Sequence, residues 1–320
     1  MTQDSPRRRR PRLPQGSREA LLREIQRQGL DPPPDPAALR AALAEARAAE
    51  APPEPAAAPT PEPASAAPDP GPPLRPPVPA DAWAALPRLR LDPRHLGRHL
   101  VITATRDDPA HGAFDVLRAK AVEALRARGW RRLGVTSPTA GCGKSFTAAN
   151  LAVTLSRLDG WRTLLLDLDL HHPGLARTLG VRDPSPMGEL LRGALPPEAV
   201  VRRVEADGRH LGPSLAVALN GAAEPFAAEL LQSARAARAL DALEAALRPN
   251  LVLMDLPPAL AQDDVIALKP RLDCVLLVAG GGSTTAREIK ECVRRLGDDL
   301  PILGVVLNRG EGEGVYDYAY

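Results

Sequence analysis

A glycine-rich segment at residues 137–145 constrains the fold of this 320-residue chain more than any other feature. Its sequence is Ser-Pro-Thr-Ala-Gly-Cys-Gly-Lys-Ser; it follows the apolar run Arg132–Thr136 and precedes an amphipathic stretch that starts at Lys144. A strand, a glycine loop and a helix in this order are typical of a phosphate-binding loop, because backbone N–H groups and the helix N-terminus face one anion. The strict G-x-x-x-x-G-K-[ST] pattern fails only at its first position, where Pro138 stands.

Six short apolar runs have the continuous Val and Leu character of strands that are buried on both faces. They are Arg132–Thr136, Thr163–Leu168, Leu215–Leu219, Leu251–Asp255, Cys274–Ala279 and Ile302–Leu307. Stretches typical of helices lie between them, at Phe114–Ala127, Lys144–Leu158, Ala234–Leu247 and Thr285–Leu296. This alternation predicts the α/β class, with a doubly wound, mainly parallel sheet covered by helices. Periodicity alone does not predict the order of the strands.

Carboxylates end two of these predicted strands. Asp167 and Asp169 stand at i and i+2, on the same side of one strand end, and Asp255 ends another strand before Leu-Pro-Pro. In a parallel sheet these ends meet at the edge where open α/β folds bind ligands. A single aspartate at a strand end is usually a turn former or a helix cap. Three that converge on a Gly-Lys-Ser loop favour a Mg-nucleotide site, with Lys144 on the β/γ-phosphates and Ser145 on the metal.

Composition divides the chain into three parts. Residues 1–90 hold 21 of the 36 prolines, so we expect a low-complexity, mostly disordered tether there. Within the tether, residues 17–29 and 37–50 are short helix candidates. Residues 91–310 are predicted to form one folded nucleotide-binding domain, and residues 311–320 a polar tail.

The tether and the tail each carry one distinctive group. Arg7–Arg10 and Arg12 stand between prolines; this pattern is typical of a solvated segment, with an anionic partner or a lipid surface as the alternative. All three tyrosines of the chain, Tyr316, Tyr318 and Tyr320, lie in the last five residues. An edge strand would place them on one face, but the preceding glycines favour a mobile substrate tail.

Charge and cysteine usage exclude several classes of function. A net charge of +2 does not favour a nucleic-acid partner. No apolar run reaches the roughly 18 residues of a membrane span, and the start of the chain lacks the apolar core of a signal peptide. The cysteines are too few and too scattered for a disulfide framework or a zinc site, which indicates a reducing, cytoplasmic setting; they are Cys142, Cys274 and Cys292.

From about Asp108 to Tyr320 the chain resembles the bacterial tyrosine kinases of capsule and exopolysaccharide synthesis. The resemblance depends on Gly141–Ser145, on the Asp-x-Asp pair, on Asp255-Leu-Pro-Pro and on the tyrosine-rich C-terminus. In that family the three motifs are called Walker A, Walker A′ and Walker B. The resemblance implies a P-loop fold and an ATP-dependent protein-tyrosine autokinase that regulates polysaccharide synthesis and export.

The resemblance also implies roles for individual residues. The residues implied to bind ATP are Gly141, Cys142, Gly143, Lys144, Ser145 and Phe146, with Asn308 contacting the base. The implied Mg²⁺ ligands are Ser145, Asp167 and Asp255, and the implied catalytic residues are Lys144, Asp167, Asp169 and Asp255. Asp167 is the expected acceptor of the tyrosine proton, although the roles of the three aspartates can be permuted without contradicting the sequence. The implied phosphoacceptors are Tyr316, Tyr318 and Tyr320.

The chain departs from the family pattern at two places. His171 stands where the family has an arginine after Asp169, so one fixed positive charge is replaced by a titratable group. The positions of the family's assembly motif are Gly112, Asp115 and Arg118, of which only the arginine matches. Assembly into a family-type homo-oligomer is therefore less strongly predicted than nucleotide binding.

Two other functions remain open from the sequence. A partitioning or Min-type switch ATPase would carry a second lysine five residues before Lys144, where Thr139 stands. A non-catalytic nucleotide-binding scaffold is the other alternative. If the kinase interpretation holds, the resemblance implies a membrane polysaccharide co-polymerase or activator as partner, and a cytoplasmic location at the inner face of the membrane through that partner.

Overall fold

The computed structural model describes residues 82–104 and 110–310. The two short helix candidates of the tether, its arginine run and the tyrosine tail lie outside the described residues. Eight strands form one sheet: β1 (Arg88–Leu89), β2 (Arg132–Thr136), β3 (Thr163–Asp167), β4 (Arg202–Val204), β5 (Leu215–Ala218), β6 (Leu251–Asp255), β7 (Cys274–Gly280) and β8 (Ile302–Asn308).

The strand order is β1-β4-β5-β3-β6-β2-β7-β8. All neighbours are parallel except β4 and β5, which are antiparallel. The prediction of a doubly wound, mainly parallel α/β sheet is confirmed. Six strands lie where the apolar runs predicted them, within a residue or two at each end. The sequence did not predict β1 and β4, because both are very short and carry arginine at positions where a buried strand has Val or Leu.

Helices lie before β1 and between the strands. They are α1 (Ala82–Ala85), α2 (Pro93–Arg98), α3 (Ala110–Arg128), α4 (Lys144–Ser156), α5 (Leu175–Leu179), α6 (Met187–Leu191), α7 (Pro197–Val200), α8 (Ala227–Gln232), α9 (Ala234–Leu247), α10 (Asp264–Leu268) and α11 (Ala286–Leu296). The local sequence determines where some of these helices begin. Ser233 caps α9, and Thr285 forms a capping box with Glu288 at the start of α11.

The sheet separates two apolar cores. Helices α2 to α5 cover one face, where Leu125 and Leu151 are fully buried. Helices α8 to α11 cover the other face, where Leu243 and Leu296 are fully buried. Each core consists mainly of Leu, Val and Ala, which agrees with strands that are apolar on both faces.

The folded unit begins before the predicted boundary at residue 91. Trp83 is only 4% exposed and packs in the same core as α9, and Leu86 is 5% exposed. Strand β1 pairs with β4, and Asp92 caps α2 by accepting a hydrogen bond from the Arg94 N–H. The domain start expected at residue 91 therefore lies inside the fold. Pro/Ala-rich composition continues as far as Pro87 and obscured a four-residue helix and a two-residue strand.

A buried asparagine on α4 connects this N-terminal part to the glycine-rich loop's helix. The side-chain oxygen of Asn150 accepts from the Thr103 N–H at 3.1 Å, and its amide donates to the carbonyl of Leu100 at 3.2 Å. The Thr103 hydroxyl in turn donates to the Asn150 carbonyl at 3.1 Å. Because Asn150 and Thr103 are both fully buried, these bonds fix the segment at residues 100–104 against α4.

Three central strands bring the predicted site residues together. Strand β6 lies between β3 and β2. Asp255 of β6 pairs with Asp167 of β3 on one side and with Val135 of β2 on the other. The two aspartates and the loop after β2 therefore meet at the carboxyl edge of the sheet. This is the edge at which parallel α/β sheets bind ligands.

Candidate active site

The glycine-rich loop joins β2 to α4 with two residues in the left-handed region. Gly141 has φ +81° and Gly143 has φ +95°, conformations that an L side chain rarely adopts. A Cβ on Gly143 would also lie 2.0 Å from the Asn308 side-chain nitrogen. Gly143 is the N-cap of α4 and no side chain caps this helix, so its first N–H groups remain available to an anion.

Pro138 fits the first position of the loop although the strict motif has glycine there. Its carbonyl accepts a hydrogen bond from the Leu260 N–H at 3.1 Å, and the Ser137 carbonyl accepts from Ala259 at 2.8 Å. The hydroxyl of Thr136 donates to the Pro257 carbonyl at 2.7 Å. The start of the loop is therefore attached to the Leu-Pro-Pro segment after β6, and none of these bonds needs an N–H at residue 138.

Lys144 is mostly buried and directed at the carboxylates. Its Nζ lies 2.5 Å from Oδ2 of Asp169 and 4.0 Å from Oδ1 of Asp255. Burial alone would lower the pKa of Lys144, but Asp255, Asp169 and Asp167 together raise it above its usual value. The lysine is therefore a fixed positive charge at the edge of the loop, with Asp169 as its direct partner.

Asp167 and Asp255 are fully buried and short of hydrogen-bond donors. Asp167 Oδ2 accepts from the Leu175 N–H at 3.2 Å, but its Oδ1 and both carboxylate oxygens of Asp255 have no hydrogen-bond partner among the described residues. Burial raises the pKa of Asp167 well above its usual range, and the Asp255 charge raises it further. Burial also raises the pKa of Asp255, to about 6, against the opposing effects of Lys144 and of the nearby Ser145 hydroxyl.

These unpartnered oxygens fit a divalent cation. Buried carboxylates without donors are rare unless a ligand satisfies them, and hard cations prefer carboxylate and hydroxyl oxygens. The Ser145 hydroxyl lies 3.4 Å from Lys144 Nζ, at the mouth of the same cluster. Among residues 82–104 and 110–310, no three His, Cys, Asp or Glu side chains form a metal cage on their own. Mg²⁺ does not need one, because it usually takes one or two carboxylates together with phosphate and water oxygens.

Asn308, at the end of β8, is attached to the loop. Its side-chain nitrogen donates to the Cys142 carbonyl at 2.9 Å, which leaves the amide oxygen as an acceptor at the rim of the site. The Cys142 thiol is buried, donates to the Thr139 carbonyl at 3.1 Å and lies 3.3 Å from the Thr284 hydroxyl. Burial alone would raise the pKa of this thiol, but the hydrogen bonds with Thr284 and Thr139 lower it below its usual value.

Phe146 contributes to the site through its backbone. Its ring packs edge-on against Phe114 of α3, with 5.8 Å between the ring centroids. Its carbonyl accepts from the Asn150 side chain at 2.9 Å within α4. The side chain therefore holds α4 against α3, and only its N–H in the first turn of α4 is directed toward an anion site.

Sequence reasoning missed one acidic group at the same edge. His171 Nε2 lies 3.2 Å from Oδ2 of Asp264, which is 1% exposed at the start of α10. Burial raises the pKa of Asp264, and His171 opposes that shift. In the sequence Asp264 follows Asp263 at a predicted turn, a place where a helix cap is the usual interpretation. Only the fold shows that Asp264 faces His171, the second residue after the Asp-x-Asp pair.

The structure thus brings together Gly141, Cys142, Gly143, Lys144, Ser145, Asp167, Asp169, Asp255 and Asn308. The predicted phosphoacceptors lie outside the described residues. Within the part of the chain that is described, no helix has the length and apolar character to cross a bilayer.

Curated relatives of this chain include larger proteins. EpsB of Ralstonia solanacearum is 32% identical over 232 residues, which cover 72% of this chain and 30% of EpsB. The tyrosine-protein kinase Etk of Escherichia coli K12 is 27% identical over 219 residues, which cover 67% of this chain and 29% of Etk. The chain therefore spans less than a third of the length of these relatives.

Solved structures with the same fold include kinase domains. The tyrosine kinase domain of BceF has 30% sequence identity and a TM-score of 0.56, covering 65% of this chain and 81% of that domain. The kinase domain of VpsO has 26% identity and a TM-score of 0.52, covering 68% of this chain and 97% of that domain. Residues 133–317, more than half of the chain, match the protein-family model described as the CobQ/CobB/MinD/ParA nucleotide binding domain. The matched residues include both aspartate-bearing strands, β3 and β6. On this match the chain belongs to the CobQ/CobB/MinD/ParA family of nucleotide-binding domains.

Proposed function

We propose that this chain is an ATP- and Mg²⁺-dependent protein-tyrosine autokinase that regulates exopolysaccharide or capsule synthesis and export. The observation that carries the proposal is the arrangement of Lys144 beside Asp169, Asp167 and Asp255 at the end of the glycine loop. Relatives named tyrosine-protein kinases and kinase-domain structures with the same fold support this choice within the family.

Phosphoryl transfer requires positioning and neutralisation of charge more than covalent chemistry. Lys144 would turn from Asp169 toward the β/γ-phosphates, the N–H groups at the start of α4 would hold them, and Asn308 would accept from the base. Ser145, Asp167 and Asp255 would hold Mg²⁺, which supplies charge neutralisation when bound. Asp167 or Asp169 would accept the tyrosine proton; the raised pKa of Asp167 brings it closer to that of a tyrosine hydroxyl.

The acceptors in this proposal are Tyr316, Tyr318 and Tyr320. They are the only tyrosines of the chain, so any phosphotyrosine on this protein must be there. We further propose a membrane polysaccharide co-polymerase or activator as partner, a place at the cytoplasmic face of the membrane through that partner, and contact between copies of the chain during transfer. Each phosphate adds about −1.5 to −2 charges at pH 7, so full modification would drive the tail away from the acidic site.

Two complementary variants test the proposal. Lys144→Ala retains the acceptors but should lose nucleotide binding, whereas replacing all three tyrosines by Phe retains the site but removes every acceptor. Each variant alone should give no phosphotyrosine with ATP–Mg²⁺. Mixed together, they should give phosphotyrosine on the Lys144→Ala protein, which mass spectrometry identifies by its sequence. The signal of wild-type protein should rise more steeply than linearly with concentration.

Other outcomes favour the alternative functions. ATP hydrolysis with unmodified tyrosines would contradict the kinase proposal and favour a Min-type switch ATPase. Nucleotide binding without hydrolysis or transfer would favour a scaffold. The structure gives one reason to place the ATPase second: Thr139, at the position of that class's second lysine, bonds through its carbonyl and hydroxyl to Cys142 instead of reaching outward.

A further inference from the structure

Arginines gather around the β1 end of the sheet. Residues 88–99, 177–183 and 202–205 together carry eight arginines and only three carboxylates, with no lysine. We call these segments the arginine surface. Its arginines are Arg88, Arg90, Arg94, Arg98, Arg177, Arg182, Arg202 and Arg203, and its carboxylates are Asp92, Asp183 and Glu205.

Direct contacts hold these segments together around one edge. Arg88 of β1 is the register partner of Arg203 of β4. The His95 ring of α2 lies 2.9 Å from the Arg177 carbonyl at α5. Leu89 and Val181 line the same small cavity, which places the segment after α5 beside β1. The arginines therefore occupy both faces of one sheet edge and the helices that flank it.

Most of these arginines have no carboxylate partner in the part of the chain that the structure describes. Within that part, Arg202 is the one member of the set with a carboxylate within 4.0 Å, that of Asp183 at 3.8 Å. Asp92 is used to cap α2. Arginines elsewhere in the fold are commonly paired: Arg132, Arg157, Arg192, Arg271, Arg294 and Arg295 each have a carboxylate within 4.0 Å. The edge is thus a place where positive charge is left uncompensated.

The excess positive charge of the described residues lies mostly at this edge. The arginine surface has a net charge of +5, while the other residues of 82–104 and 110–310 together have a net charge of +1. Such a concentration of charge orients a protein toward an anionic partner, because this edge is attracted more strongly than the rest of the fold.

Two observations indicate the kind of partner. The arginine surface extends over the two strands at the β1 end of the sheet and two flanking helices, so its charges are spread in a way that suits a broad anionic surface. Leu100, two residues after α2, is 60% exposed, and an apolar side chain beside arginines is typical of proteins that bind at a lipid interface.

We propose that the arginine surface binds anionic phospholipid headgroups, edge-on, with Leu100 entering the interfacial region. Guanidinium groups pair with phosphate oxygens through two N–H donors, which favours arginine at such a site. The carboxyl edge that carries Lys144 would stay accessible from the aqueous side. This proposal goes beyond the kinase proposal and does not depend on it, because it concerns different residues and needs no ATP.

Vesicle co-sedimentation of the full chain tests the proposal. The probes are vesicles of phosphatidylcholine alone and of phosphatidylcholine mixed with phosphatidylglycerol. We expect binding to the mixed vesicles only, weakened by salt. The variant Arg94→Glu with Arg98→Glu should weaken it on the order of 30-fold or more. The matched control is Arg287→Glu with Arg294→Glu on α11, two exposed arginines on the helix between β7 and β8 at the opposite end of the sheet, which should bind within a few-fold of wild type.

Several results would overturn the proposal. Equal losses in the two double variants would show a net-charge effect without a defined surface. Normal binding by Arg94→Glu with Arg98→Glu, together with loss when Arg7–Arg10 are replaced by serine, would assign lipid binding to the tether. Binding to polyglutamate or to DNA but not to the mixed vesicles would identify a macromolecular partner instead. Unchanged ATP affinity and thermal unfolding in both double variants would confirm that they fold.

Discussion

Replacing Asp255 by asparagine should change how stability depends on pH in the nucleotide-free, metal-free protein. Asp255 is fully buried, its carboxylate accepts no hydrogen bond among the described residues, and burial raises its pKa from 3.8 to about 6. The folded protein thus holds this proton more tightly than the unfolded chain does. The stability that the proton contributes is fully present below about pH 4 and is lost as the pH rises through about 6.

The magnitude follows from the two pKa values. A separation of about two pH units corresponds to about 3 kcal/mol in the free energy of unfolding. An asparagine side chain cannot ionise, so the Asp255→Asn variant should gain about 3 kcal/mol relative to wild type between acidic and neutral pH. For a folded unit of this size the gain corresponds to roughly 6–12 °C in Tm.

Thermal and urea unfolding in chelator-containing buffers measure this difference. Asp159→Asn, at an exposed aspartate between α4 and β3, is the matched control and should follow the wild-type pH profile. An Asp255→Asn profile parallel to that of wild type would refute the reasoning. It would mean that Lys144 already stabilises the ionised carboxylate in the empty site.

Three further substitutions test other parts of the structure. Asp167→Asn should lower phosphotyrosine formation at least about 10²-fold while ATP affinity, measured by calorimetry, stays within a few-fold; equal losses would make Asp167 a metal-site residue only. Gly143→Ala should abolish ATP binding, since its Cβ would lie 2.0 Å from the Asn308 side chain at φ +95°; a normal affinity would contradict the loop geometry. Trp83→Ala should cost about 3–5 kcal/mol in urea unfolding because Trp83 is 4% exposed; a cost below about 1 kcal/mol would mean that α1 does not belong to the core.

The central sheet and the loop could be predicted from sequence because their signals are local. Six strands are continuous apolar runs, and Lys144 follows the left-handed Gly143 that the motif requires. The convergence of Asp167 and Asp255 followed from the rule that parallel strands end at one edge. The prediction of the six strands succeeded because strands that are buried on both faces consist almost entirely of apolar residues. Few other structures have that composition.

The remaining features depend on contacts between distant segments. Strands β1 and β4 are too short to show a pattern, and they are strands only because β1 pairs with β4 and β4 pairs with β5, far away in the sequence. The bonds from Asn308 to Cys142 and from His171 to Asp264 join residues 166 and 93 positions apart. No local pattern contains such pairs. The sequence also placed the domain start too late, because proline and alanine occur both in the tether and in the first folded turn.

The attachment of the N-terminal segment to α4 has a mechanical consequence. If the tether is stretched between a fixed anchor and the folded unit, the load enters through α1 and β1. The buried ring of Trp83 holds α1 in the core, and strand β1 pairs with β4 over only two residues. Only after α1, β1 and α2 have detached would tension reach Thr103 and its three hydrogen-bonded contacts with Asn150. The segment from α1 to α2 therefore yields first, and α4, the helix that follows the phosphate-binding loop, keeps its position until that segment has been peeled away.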